Sequence, residues 1–283
     1  MSDKPPIAPS LTRNDITKNG VVPNVENDIV LVFDFETSGL PADDVKWEAF
    51  RPEEEYATWP DGNKKYIKGT TDLEVLPASD PTKWPHSVQI SYLTYNNDTK
   101  ELIIFNERIK LPAGVKVNPD SEKIHHISTE EANTKGVPIE TAMDRFIVDY
   151  NNANVIVAHN IHFDRNMILV ELKRLTERTD ITSEDKEKYH EFMMKFYKNK
   201  KEYCTSRHGA EICKVIETYK KGKNKGKEYY AMPKLMDLYA TLFDYRPDES
   251  KLHDAKADVI VCFRCFYMMR YGQDIYKIAP PES

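Results

Sequence analysis

Four short apolar runs in the first 160 residues are typical of β-strands. Residues 29–33 form an unbroken β-branched and aromatic run, which predicts a central strand buried on both faces. Residues 88–95 alternate, residues 96–98 are turn formers, and residues 101–109 resume a strand pattern, so an antiparallel pair is expected. The run at 155–158 predicts another short buried strand.

Apolar residues at helical spacing dominate the later part of the chain. Tyr189, Phe192, Met193, Phe196 and Tyr197 follow the spacing of a buried helical stripe. Strands first, with helices interleaved later, predict a mixed α/β fold in which helices flank a sheet. Further helices are expected at 141–150, 164–174, 234–243 and 255–271.

The 283 residues suffice for one large or two small domains. We expect a single domain over residues 28–272, preceded by a proline-bearing flexible leader at 1–27 and followed by a C-terminal tail at 273–283. Residues 41–85 hold six prolines and three tryptophans, a stretch too long for a plain connection. This stretch is therefore interpreted as an insertion with its own small packed structure.

Composition narrows the class of protein. With 40% hydrophobic and 30% charged residues, wholesale disorder is excluded, and no apolar run is long enough for a membrane span. The net charge of −6 argues against coating nucleic acid through bulk positive charge, but it fits carboxylates gathered around a cation. Four cysteines and a polar N-terminus without a signal pattern favour a cytoplasmic or other reducing intracellular compartment.

The first candidate site is Asp34 with Glu36, directly after the predicted central strand. The two-residue period of a strand places both carboxylates on one face. Two close carboxylates repel each other unless a cation lies between them, which is how oxygen ligands for Mg²⁺ or Mn²⁺ are arranged. The alternative is a pair of exposed acids at the end of a strand.

The second candidate is the segment 158–164, where a predicted strand leads into a helix. Such loops carry sites in α/β sheets. Asp164 is a candidate ligand, or else only the N-cap of the helix. His159 and His162 raise the alternative of zinc, although the neighbouring acid and amide favour a hard cation.

The third candidate opens the last long helix. Asp258 lies about one turn into the helix, and His253 lies in the loop before it. The pKa of a histidine lies near working pH, so His253 is a plausible general base beside a metal cluster; otherwise it is a cap or surface group.

In this order, the three motifs resemble the DEDDh branch of the RNase H-like exonucleases, which includes proofreading subunits of bacterial replicative polymerases, RNase T and oligoribonuclease. The resemblance covers about residues 28–272. Segments 33–40, 157–164 and 253–258 look like its three motifs. Residues 123–128 resemble its "HGI" segment, except that His126 replaces the usual glycine.

The resemblance implies an RNase H-like mixed sheet, antiparallel in its early strands and parallel in its later ones, flanked by helices. It also implies that Asp34, Glu36, Asp164 and Asp258 hold two Mg²⁺ or Mn²⁺ ions, ~3.5–4 Å apart. His253 would deprotonate the attacking water, and 5′-nucleoside monophosphates would leave from the 3′ end of DNA. Substrate-binding roles carried over in the same way fall to Thr37, Ser38, Leu40 and Asn160, with a core role for Leu40 and a turn role for Thr37 as alternatives.

Several alternatives stay open at this point. The substrate is single-stranded or frayed DNA, or else RNA 3′ ends, and a catalytically inactive nucleic-acid-binding module is a third reading. A polymerase is a candidate partner, and no membrane partner is expected. The lysine-rich loop at 220–227, followed by Tyr229 and Tyr230, either binds backbone phosphates or is a solvated linker. Cys262 and Cys265 are expected to pack in the core rather than bind zinc.

Overall fold

A computed structural model describes five ranges of the chain, and it leaves several sequence predictions outside them. The described ranges are 28–42, 80–196, 200–220, 224–246 and 255–278. The predictions outside them are the leader at 1–27, most of the insertion (43–79), part of the lysine-rich loop (221–223), His253, and the end of the tail (279–283).

A five-stranded mixed sheet lies at the centre of the molecule, with the strand order β3-β2-β1-β4-β5. Strand β1 pairs antiparallel with β2 and parallel with β4, while β2–β3 is antiparallel and β4–β5 is parallel. The predicted mixed sheet, antiparallel in its early strands and parallel in its later ones, is therefore confirmed. The strands are β1 (Ile29–Thr37), β2 (Ser87–Asn96), β3 (Leu102–Arg108), β4 (Val155–Ala158) and β5 (Lys201–Cys204), with a separate hairpin of β6 (Ile216–Thr218) and β7 (Glu228–Tyr230).

Helices cover both faces of the sheet. Among the described residues, none of them is long and apolar enough to cross a membrane. The helices are α1 (Pro119–His125), α2 (Thr129–Lys135), α3 (Ile139–Asn152), α4 (Ile161–Glu177), α5 (Ser183–Lys195), α6 (Thr205–Cys213), α7 (Leu235–Phe243), α8 (Ala255–Tyr271) and α9 (Ile275–Ile278).

Strand β1 separates two hydrophobic cores because its side chains alternate between the faces of the sheet. Leu31, Phe33 and Phe35 pack in one core with residues of α3, α4 and α5. Val30 and Val32 pack in the other core, with residues of α7 and α8. By the same two-residue period, the next two side chains on the Val32 face are those of Asp34 and Glu36, which therefore face α8.

The predicted elements match the observed ones best where burial is continuous. Strand β4 has the predicted bounds, whereas β1 continues four residues further than expected, to Thr37. It does so because its ladder with β2 continues through the acidic pair until the register shifts between Glu36 and Thr37. Helix α4 begins three residues before the predicted start, and α5 ends at Lys195, before the last two residues of its predicted stripe.

Candidate active site

The first two acids lie at the open end of β1. Asp34 and Glu36 are half-buried and share the face of the sheet that α8 covers. Asp258, in the first turn of α8, reaches the same place: one carboxylate oxygen from each of these three residues lies within 4.8 Å of the others. Residues more than 220 positions apart in the sequence therefore form one cluster of oxygen ligands.

Asp164 approaches this cluster from the opposite helical layer, and it is not one of the three residues whose oxygens lie within 4.8 Å of one another. Chain reversal at Asn160, which has a left-handed backbone (φ 61°), starts α4 at Ile161 and places Asp164 in its first turn, only 2% exposed. Its Oδ1 accepts a hydrogen bond of 3.1 Å from the backbone N–H of Phe35, between the two β1 acids. The N-cap alternative is wrong, because Asn160 occupies that position and Asp164 bonds to β1 instead.

Gln89 fixes the start of α8 beside β1, a role that the sequence did not reveal. It pairs with Glu36 across the β1–β2 ladder and is 3% exposed. Its Oε1 lies 3.4 Å from the backbone N of Ala255, the first residue of α8, and its Nε2 donates to Asn106 Oδ1 at 2.8 Å. A single buried amide thus aligns the helix that carries Asp258 with the strand that carries Glu36.

Two of the crowded carboxylates, those of Asp34 and Asp164, have raised pKa values. Burial raises the pKa of Asp34 well above its usual value, and the charges of Asp164, Glu36 and Asp258 raise it further. Burial also raises the pKa of Asp164 to about 8, against the opposing effect of the Phe35 N–H. The charged groups that raise the pKa of Asp34 are all carboxylates, so their mutual repulsion opposes its ionisation. This donor set fits a hard divalent cation such as Mg²⁺ or Mn²⁺.

Three of the predicted substrate-binding residues, Thr37, Ser38 and Leu40, lie at the end of β1 and on the tightly bonded turn after it. The Thr37 hydroxyl donates to the carbonyl of Gly39 at 2.8 Å, and the Ser38 N–H donates to the carbonyl of His86 at 2.7 Å. Ser38 Oγ accepts from the backbone N–H of His86 at 2.9 Å, so both of these groups bond within the protein. Leu40 is 83% exposed, and the alternative of a core role for it is wrong.

The "HGI"-like segment supports this turn from below. His125 is buried, and its Nδ1 accepts a hydrogen bond of 3.1 Å from the backbone N–H of Ile127. The ring proton is therefore on Nε2, which donates to the Thr37 carbonyl at 3.2 Å. His126 has a φ of 59°, the left-handed conformation that glycine adopts without strain. His126 therefore has a glycine-like backbone at the position where the motif that it resembles has glycine.

Arg174 organises the other side of the turn. Its guanidinium donates to the carbonyl oxygens of Pro81, Trp84 and Pro85 at 2.7–2.9 Å and lies 3.1 Å from buried Glu171. These bonds fix the segment that leads into β2. Nothing in the sequence pattern signalled this role, because the partners lie about 90 residues away.

The two histidines of the second motif do not share a site. His159 Nδ1 contacts the Thr205 hydroxyl at 2.9 Å, and its Nε2 contacts the Pro233 carbonyl at 3.0 Å. His162 instead hydrogen-bonds Arg207 at the surface. The acids of β1 and α8 form the one group of metal-binding residues found in the described ranges, so the zinc alternative at these histidines is not supported.

The four cysteines carry free thiols. Cys262 and Cys265 are buried on α8 in the core beside β1, as predicted, and Cys262 Sγ lies 3.5 Å from the Thr205 hydroxyl. Core packing of this pair is confirmed.

Comparison with known proteins returned structural similarity alone. The sequence matches no family model, and it matches no curated protein. Escherichia coli exonuclease I in complex with a dT13 oligonucleotide aligns at 13% identity and a TM-score of 0.48, over 86% of this chain and 41% of that one. Exonuclease I from the moderate thermophile Methylocaldum szegediense aligns at 14% and 0.48, over 89% and 42%.

A zinc-bound E. coli exonuclease I–single-stranded DNA complex aligns at 13% identity and a TM-score of 0.47, over 90% of this chain and 42% of that one. The chain thus spans about two fifths of the exonuclease I structures that it matches. TM-scores below 0.5 do not establish a shared fold. The fold is therefore assigned from the sheet topology, and the function is proposed from the geometry of the acidic site.

Proposed function

We propose that this protein is a metal-dependent 3′→5′ exonuclease that hydrolyses the terminal phosphodiester of single-stranded or frayed DNA and releases 5′-nucleoside monophosphates. One observation carries the proposal: Asp34, Glu36 and Asp258 place carboxylate oxygens within 4.8 Å of one another. Asp164, which is buried, accepts a hydrogen bond from the backbone N–H of Phe35, between the two acids of β1. Burial and mutual repulsion make this arrangement costly without a bound cation.

In the proposed reaction, the four carboxylates hold two Mg²⁺ or Mn²⁺ ions. Such a pair supplies an activated water at neutral pH and stabilises the charge on the departing 3′ oxygen. The hydrogen bond from the Phe35 N–H holds the Asp164 side chain in place. This bond, together with the side-chain rotamers, sets the distance between the second motif and β1. His253, two residues before α8 in the sequence, is the proposed acceptor of the proton from water.

The turn after β1 is the proposed seat of the 3′-terminal nucleotide. Its backbone is braced by His86 at Ser38 and by His125 at Thr37, which gives a rigid surface next to the acids. Leu40 projects from this turn with most of its side chain in solvent, and we assign it to packing against the terminal base. Asn160 is assigned to shaping the loop before α4 through its left-handed backbone.

The test uses a 20-nucleotide single-stranded DNA labelled at either end, with an RNA of matched sequence. With Mn²⁺, the 5′-labelled strand should shorten step by step, the 3′-labelled strand should release a labelled mononucleotide at once, and EDTA should stop both reactions. Asp34→Asn and Glu36→Gln should lower the rate at least about 10³-fold, because a ligand set that has lost a charge no longer holds the ions. Glu184→Gln, an exposed acid on α5, is the matched control and should keep full activity.

In the same assay, His253→Ala should lower kcat by about 10²–10⁴-fold while DNA binding is retained. Release from the 5′ end, internal cleavage, or hydrolysis that persists in EDTA or in Asp34→Asn would contradict the proposal. Digestion of RNA alone would replace it with exoribonuclease activity. Binding of either strand without hydrolysis under any of these conditions would replace it with an inactive binding module.

A further inference from the structure

The hairpin of β6 and β7 forms a sheet separate from the central one. Its strands pair as Ile216 with Tyr230, Glu217 with Tyr229 and Thr218 with Glu228. Bonds from the Tyr219 N–H to the Lys227 carbonyl and from the Ala231 N–H to the Val215 carbonyl extend the ladder at both ends. An isolated two-stranded ribbon is only marginally stable in water, so exposed apolar residues on it call for a physical reason.

Both ends of the excursion that carries the hairpin converge on the second motif. The excursion begins at Thr205, whose hydroxyl contacts His159 Nδ1 at 2.9 Å, and it ends at Pro233, whose carbonyl contacts His159 Nε2 at 3.0 Å. His159 immediately precedes Asn160 and the first turn of α4, where Asp164 lies. The start of α6, before the hairpin, and Pro233, after it, therefore both contact the histidine that precedes the loop of the second motif.

Exposed apolar side chains concentrate on this excursion. Of the eleven large hydrophobic side chains that are exposed in the described ranges, five lie between residues 215 and 232. Tyr219 is 40% exposed and stacks on Tyr229, with ring centroids 4.3 Å apart and planes 32° apart. The Tyr229 hydroxyl donates to Glu217 at 2.9 Å, which fixes the orientation of the pair. The result is an oriented aromatic platform on one face of the hairpin.

The stretch of sequence that carries this platform is rich in lysine. Residues 214–234 contain seven lysines against two glutamates, in a chain whose net charge is −6. Lys227 lies opposite Tyr219 in the ladder and shares the face of the tyrosine pair, since strand positions two residues apart point the same way. Lys220 follows Tyr219 directly, Lys225 lies in the turn, and both are exposed.

We propose that this hairpin is a second binding site for single-stranded DNA, remote from the scissile bond, at which a base stacks on Tyr219 and phosphates pair with Lys220, Lys225 and Lys227. Aromatic rings interleaved with lysines suit single strands, because every base offers a face for stacking and the backbone is uniformly anionic. This proposal rests on the proposed function, because the hairpin would hold the strand whose 3′ end enters the acidic cluster. The chain on both sides of the hairpin contacts His159, which precedes the loop of the second motif.

Binding is measured by fluorescence anisotropy with 5′-fluorescein-dT20 in EDTA, where no hydrolysis occurs. Lys220→Gln/Lys225→Gln/Lys227→Gln should reduce the slope of log Kd against log salt concentration by about 2, at roughly 0.7 for each lost phosphate contact. The matched control is Lys186→Gln/Lys188→Gln/Lys195→Gln on α5, which makes the same change of charge elsewhere and should leave the slope unchanged. Tyr219→Ala should weaken binding roughly tenfold, and Tyr219→Phe, which keeps the ring, should restore it.

A second measurement uses the p-nitrophenyl ester of thymidine 5′-monophosphate, which has no strand to reach the hairpin. The triple hairpin variant should hydrolyse it at the wild-type rate, while its KM for dT20 rises in parallel with the loss of binding. An unchanged salt slope, or an equal loss on both substrates, would overturn the proposal. The first result would leave the apolar hairpin as a surface for a protein partner, and the second would show a structural role.

The two proposals fail in different ways. A wild-type protein that binds dT20 through the hairpin but hydrolyses nothing would sink the proposed function and leave the hairpin site standing. Hydrolysis from the 3′ end with no dependence on the hairpin residues would do the reverse.

Discussion

Replacing His159 with glutamine should remove a specific part of the protein's sensitivity to acid. Burial lowers the pKa of His159 to about 4 from the ordinary 6.5, and the Pro233 carbonyl only partly opposes this. Its Nδ1 lies 2.9 Å from the Thr205 hydroxyl, which can donate to it only while the ring is neutral. His159→Gln keeps an amide donor for Pro233 but does not titrate.

The sign of the effect follows from proton linkage. Because the pKa is lower in the folded state than in the unfolded state, the unfolded chain binds the proton more tightly, and acid favours unfolding. The stability that neutral His159 contributes is fully present above pH 6.5 and is lost as the pH falls towards 4. A difference from 6.5 to about 4 corresponds to a loss of about 2 kcal/mol between pH 7 and pH 5, and of about 3 kcal/mol by pH 4.

The assay is urea unfolding of wild type and His159→Gln at pH 7, 6 and 5, in EDTA. Other titrating groups affect both proteins alike, so the difference between their unfolding free energies isolates His159. We expect the variant to be less stable at pH 7, because it loses part of the His159 bonding, and this deficit should shrink by about 2 kcal/mol at pH 5. A deficit independent of pH, or a His159 resonance that titrates above pH 6 in NMR, would refute the reasoning.

Two further predictions concern the site and its support. His126→Gly should raise the free energy of unfolding by about 1 kcal/mol, because glycine adopts a φ of 59° without strain. In differential scanning fluorimetry this corresponds to a rise in Tm of roughly 2–4 °C. An equal rise in His126→Ala would show that the backbone is not the cause. In metal-free buffer, Asp34→Asn should raise Tm by an amount that grows from pH 5 to pH 8, because the raised pKa of this half-buried acid means that its charge opposes folding. Added Mn²⁺ should stabilise the wild type more than the variant, and the opposite order would remove the case for a cation at this cluster.

The sequence predicted those parts of the site that depend on local period and on element ends. Asp34 and Glu36 could be placed on one face because a strand alternates, and Asp258 could be placed one turn into a helix because no breaker interrupts the pattern after Ala255. Asp164 was expected near the start of a helix, and that is where it lies. Such residues can be predicted from the sequence because strand and helix geometry fixes the relative positions of residues that are close neighbours along the chain.

The supporting residues could not be predicted because their partners are distant in the sequence. Gln89 and Ala255 are 166 positions apart, and His159 and Pro233 are 74 positions apart. A buried glutamine in a strand and a histidine in a loop have no period or spacing that indicates such partners. Strand β5 and the short hairpin were missed for a related reason: these three- and four-residue strands contain charged side chains, so they lack the continuous apolar run that reveals β4 and are too short to show alternation.

The position of the acidic cluster follows from the alternation of β1 together with the two helical layers. Val30 and Val32 need an apolar cover, and α8 provides it, so the next positions on the same face, Asp34 and Glu36, necessarily meet the first turn of that helix. Asp164 comes from the other layer and reaches past the end of the sheet to the Phe35 amide. Neither layer alone assembles the four carboxylates, and the apolar packing on both faces of β1 must offset their repulsion. The cost of holding these acids close together therefore falls on the packing of the whole sandwich, and a bound cation would return it as stability.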